Sequence, residues 1–111
     1  MSASPQTAAE LFEQLAAHLL SQPHVDEGTG FGRMPGLRTN GKIFVMLYRG
    51  ELVVKLPRAR VDELVAAGAA MRFGPRGDGR LMKEWATLSV EESPIWEPLA
   101  REALQFVSVA T

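Results

Sequence analysis

Gly41-Lys-Ile-Phe-Val-Met-Leu-Tyr-Arg-Gly-Glu-Leu-Val-Val-Lys-Leu56 reads as a β-hairpin that turns at Arg49-Gly50. Two turn residues between two apolar runs are the mark of a tight hairpin. With Tyr48 facing Glu51, the register follows. Leu47 lies opposite Leu52, Val45 opposite Val54 and Ile43 opposite Leu56, a wholly aliphatic face suited to a core. The reverse face pairs Tyr48 with Glu51, Met46 with Val53 and Phe44 with Lys55. A slip of one residue would invert every assignment. A first strand that is apolar on both sides needs cover on both sides or a partner.

The hairpin sets the frame for the flanking segments. Asn40-Gly41 is a second tight-turn pair and predicts a short strand around 37–39 against 42–48. Residues 24–31 make a poor strand, with Val25 and Phe31 as its large apolar residues, and 30–36 read as a glycine-punctuated loop. Upstream, Thr7-Ala-Ala-Glu10 has capping-box spacing. Leu11, Phe12, Leu15, Ala16 and Leu19 then share one helical stripe, which ends before Pro23. Downstream, Pro57 stops the second hairpin strand and opens a helix lined by Val61, Leu64 and Val65, closed at Gly68. Strands at 71–73 and 82–90 flank a turn at 74–80. A final helix is expected from Pro98, after a tight turn at 94–97, with Leu99, Ala103, Phe106 and Val107 inward. The order α-β-β-β-α-β-β-α predicts one α+β domain over 1–111. Its two layers are a mainly antiparallel sheet of about five strands and the helices packed on it.

The 111 residues include no cysteine, which excludes thiolate chemistry, zinc–thiolate sites and disulfides. No apolar run approaches the roughly 20 residues of a membrane span. No signal peptide is evident, so a cytoplasmic setting without membrane attachment is expected. The net charge of -1 conceals a division: from Arg33 to Lys83 there are eleven Lys/Arg against four Asp/Glu, and the flanks hold one Arg against nine acids. Such a division marks either an anion-binding surface or acidic helices lying on a basic sheet.

Catalytic constellations are sparse. His24, Asp26 and Glu27 carry donors suited to a divalent cation or to acid–base work, but they are local, with no distant His or Cys to complete a shell. Gly28-Thr-Gly-Phe-Gly32 lacks the third glycine and the following helix of a dinucleotide loop. Arg76-Gly-Asp78 is read as part of a turn. No cofactor is expected. The reverse face of the sheet is the better candidate. Phe44, Met46, Tyr48 and Lys55 lie on it, Lys83 and Trp85 join it, and Arg33 and Arg38 stand at its rim. Interleaved aromatics and cations suit a protein contact, a homodimer or single-stranded nucleic acid.

Several segments resemble the N-terminal domain of the TfoX/Sxy competence regulators and the broader YjbR-like group. They are Gly32-Arg-Met34, Gly36-Leu-Arg-Thr-Asn-Gly-Lys42, Phe44-Val-Met-Leu47 and Leu52-Val-Val-Lys-Leu-Pro57. Met82-Lys-Glu-Trp85 and the closing Trp96-x-x-Leu99-x-x-Glu102-Ala103-x-x-Phe106-Val107 extend the likeness. The resemblance implies a cytoplasmic, non-enzymatic bacterial domain with an antiparallel sheet flanked by helices. Together with the reverse face it gives the leading reading, a binding or regulatory module acting through protein contacts on one sheet face. The alternative is a direct nucleic-acid binder using the basic segment from Arg33 to Lys83. A third reading is a small enzyme or metal-binding protein built on His24, Asp26 and Glu27.

Overall fold

A computed structural model describes residues 7–29, 33–74 and 82–110. Helix α1 (Ala8–Leu19) opens with the expected capping box. Thr7 Oγ1 accepts from the Glu10 amide at 3.1 Å, and Glu10 Oε1 accepts from the Thr7 amide at 2.9 Å. Phe12, Leu15, Ala16 and Leu19 point inward. Strands β1 (Val25–Thr29), β2 (Pro35–Thr39), β3 (Lys42–Tyr48) and β4 (Glu51–Lys55) form a meander. After it come α2 (Arg58–Ala66), β5 (Met71–Phe73), β6 (Met82–Leu88), a 3-10 helix (Val90–Ile95) and α3 (Trp96–Ala110). The six strands pair antiparallel throughout, in the order β1-β2-β3-β4-β6-β5.

Both tight turns carry two consecutive residues of positive φ: Asn40 (52°) with Gly41 (80°), and Arg49 (51°) with Gly50 (80°). Two positive φ values in succession match the right-handed twist of the flanking strands. The β3–β4 register follows the hairpin reading, with Val45 opposite Val54, Met46 opposite Val53, Leu47 opposite Leu52 and Tyr48 opposite Glu51.

Several features depart from the sequence expectation: β2 already starts at Pro35, β6 ends at Leu88, a 3-10 helix replaces the turn at 94–97, and three further differences bear on the site. The sheet gains a sixth strand, β1, which 24–31 gave only weakly because an edge strand with mostly exposed side chains has little apolar periodicity. Helix α3 begins at Trp96 rather than Pro98. Pro98 is then its third residue, where the amide has no intrahelical acceptor to lose. Between β2 and β3 the register shifts, with Leu37 opposite Val45 but Arg38 opposite Ile43, so Phe44 is the extra residue of a bulge. Parts of the 30–36 and 74–80 turns, with Gly28-Thr-Gly-Phe-Gly32 beyond Thr29 and Arg76-Gly-Asp78, lie outside the described residues.

The bulge exchanges two side chains between faces. Phe44 is fully buried in the helix-side core with Val45, Leu52, Val54, Leu56, Ala86 and Leu88. Ile43 packs instead with the opposite cluster. That core also holds Trp96, fully buried at the start of α3, whose Nε1 donates to the Ser89 carbonyl at 3.0 Å. Among the described residues no helix is long and apolar enough to cross a membrane.

Candidate functional site

The face of the sheet away from the helix-packed core carries a second cluster, Met46, Val53, Phe73 and Trp85, flanked by Ile43, Tyr48 and Met82. All seven come from strands, and the first four are buried. The expected make-up of this face is corrected at one residue, and the face is covered in part by its own side chains. Phe44 belongs to the other face because of the bulge, and Met46 is fully buried beside Val53. Trp85 is only 7% exposed. Tyr48 is half-buried, its ring edge-on to Phe73 with centroids 5.1 Å apart.

Two glycines let this face close at its β1–β2 end. Gly28 and Gly36 are paired, and Gly36 lies opposite Met46. A Cβ on Gly36 would stand 2.8 Å from the Val45 carbonyl oxygen and 3.2 Å from Met46 Cβ. A Cβ on Gly28 would meet the stem of Arg38 at 2.4 Å, so the arginine lies across the space that the glycine leaves. From there Arg38 donates to Asp26 Oδ2 at 2.7 Å, across the β1–β2 ladder. Arg38 is thus a packed cross-strand pair. Arg33 stands exposed at the entry to β2 with φ 62°. His24, Asp26 and Glu27 are exposed and do not converge. His24 sits in a turn with φ 65°, and Asp26 and Glu27 are consecutive residues of β1, directed to opposite sides of the sheet.

Three of the expected residues do come together. Lys55, Lys83 and Trp85 line a shallow cleft of about 530 Å³ with Arg58, Met82 and Glu84. Lys55 is opposite Trp85 on β6, its Nζ 5.6 Å from the indole ring and 3.9 Å from Glu84 Oε1. Arg58 arrives because Pro57 ends the strand and starts α2 at once, folding the first helical residue back beside Lys55. Lys83 and Arg58 are exposed and have no ion-pair partner among the described residues. The cleft thus presents three cations against one carboxylate, next to a capped indole.

A second depression, of about 580 Å³, lies between α2 and α3 and includes Pro57, Arg60, Glu102, Phe106 and Val109. Its charge is already spent internally. Arg60 donates to both Glu102 oxygens at 3.0 and 3.2 Å and to Glu63 at 3.2 Å. The bond to Glu102 above all holds the guanidinium pKa above its ordinary value. The two charged residues that line this groove are thus engaged with each other.

No family model, curated protein or solved structure matches this chain.

Proposed function

We propose that this chain is a non-catalytic binding module of the TfoX/Sxy N-terminal kind, with a regulatory role in the bacterial cytoplasm. Its working surface is the basic cleft formed by Lys55, Arg58 and Lys83, and its partner is an acidic segment of a protein. One observation carries this reading: three cations converge on one depression, and two of them, Arg58 and Lys83, have no ion-pair partner among the described residues. Closely spaced unpaired cations favour an anionic occupant and steer its approach.

Single-stranded nucleic acid fits the site less well. Base stacking needs aromatic faces, and here Phe44 is in the core while Trp85 is capped by Lys55. Three cations alone also supply few phosphate contacts.

The test is a titration of the chain with a glutamate-rich peptide and, separately, with a single-stranded oligonucleotide, followed by amide chemical shifts. Shifts centred on Lys55, Arg58, Lys83 and Trp85 with the peptide are expected. Lys83→Glu should weaken that binding about tenfold, the effect of roughly 1.4 kcal/mol. Peptide binding indifferent to Lys83→Glu, or shifts only with the oligonucleotide, would overturn the proposal.

A further inference from the structure

We infer that the basic cleft accepts the opposite end of a second copy of this chain, in a head-to-tail contact. The inference rests on the reading of the cleft as a site for acidic protein. Strand β4 runs from Glu51 to Lys55, and β6 runs antiparallel beside it from Met82 to Leu88. The cleft therefore occupies one end of this strand pair. Glu51 and the 3-10 residues Glu91 and Glu92 occupy the other, beyond Leu88. None of these three carboxylates has an ion-pair partner among the described residues.

Each end also offers apolar contact. Val90 is exposed beside Glu91, and Met71, opposite Thr87, is 73% exposed. The cleft is lined by half-buried Met82 and by Trp85, of which 7% is exposed. Two cations stand near the acidic end: Arg49, with its guanidinium 5.3 Å from the Tyr48 ring centroid, and Arg72, which is paired with Asp62 of α2.

Lys55 and Glu51 are held about 13 Å apart by the rise of one continuous strand. A single chain cannot fold its acidic end into its own cleft, but a second copy brings complementary charge to both. Because two different patches meet, the contact is heterologous and can repeat along a row of molecules.

Sedimentation equilibrium of the full chain tests this, using Arg58→Glu with Lys83→Glu as a cleft variant and Glu91→Lys with Glu92→Lys as an end variant. Wild type should associate at low ionic strength, with the dissociation constant rising about tenfold at high salt as the charges are screened. Each variant alone should be monomeric, and an equimolar mixture should associate again. The neutral cleft pair Arg58→Gln with Lys83→Gln repeats the comparison without reversing charge, and it should also be monomeric. A monomeric wild type at low salt, or a mixture no more associated than its components, overturns the inference. If the glutamate-rich peptide still binds the monomer, only the self-docking fails; if the peptide is also ignored, the reading of the cleft fails with it.

Discussion

The ammonium of Lys55 lies over the indole of Trp85, its directly opposed partner on β6, at 5.6 Å from the ring centroid. The contact turns Trp85 into a packed wall of the cleft and fixes Lys55 where an anion would meet it. It also ties binding to a small part of stability. Lys55→Glu replaces the attraction with a carboxylate beside Glu84. A loss of about 1 kcal/mol in urea denaturation is expected, together with loss of affinity for a glutamate-rich peptide. Peptide binding that survives this change would show that Lys55 does not face the ligand.

The bulge at Phe44 predicts a core phenotype for a residue that strict alternation puts on the other face. Phe44→Ala should cost about 3–5 kcal/mol, a large part of the stability of a domain this size. Ile43→Ala, from a half-buried position, should cost less. Chemical denaturation of the two variants side by side decides it, and equal or reversed losses would mean that β3 alternates without interruption.

The two paired glycines predict an order of severity. Gly36→Ala places a Cβ against the backbone oxygen of Val45, which moves only if β2 and β3 separate. Gly28→Ala meets the Arg38 side chain, which can adopt another rotamer while giving up its bond to Asp26. Gly36→Ala should therefore be the more damaging, in the range of about 1–3 kcal/mol for overpacking. The smaller effect of Gly28→Ala should shrink further in an Asp26→Asn background, where that bond is already weakened.

His18 on α1 and Glu97 on α3 join their helices through a 2.7 Å contact in which Nδ1–H donates to Oε1. The bond from His18, and then that from Arg101, lowers the carboxyl pKa of Glu97. A group whose folded pKa is depressed adds stability above its unfolded pKa and loses it as pH falls through the folded value. Glu97→Gln should thus flatten the acid side of the stability profile below the ordinary carboxylate range. At higher pH it should cost no more than about 1 kcal/mol, as befits a surface pair. Thermal melts across that range read both parts.

Much of the architecture is legible in the residues because local signals agree. Asn40-Gly41 and Arg49-Gly50 set the turns, the alternation from Val45 to Tyr48 sets the register, and Thr7 with Glu10 marks the start of α1. The bulge is not legible. Every residue from Ile43 to Leu47 is apolar, so hydropathy gives no sign of which neighbour crosses to the other face. Edge strand β1 is faint for the opposite reason, since it buries too little to show a period. Of the cleft, Lys55, Lys83 and Trp85 could be grouped by strand face. Arg58 could not, because its place depends on how sharply the chain turns from β4 into α2.

The strand order bears on how the chain folds. Strands β1 to β4 are joined in sequence by short connections, and β5 and β6 also pair as sequence neighbours. Among the described residues only the β4–β6 ladder unites strands far apart along the chain, with all of α2 and β5 between them. Closing that long loop costs entropy before its contacts repay it. Substitutions along the Val53–Thr87 and Val54–Ala86 seam should therefore slow refolding, whereas changes at the outer hairpins should chiefly hasten unfolding.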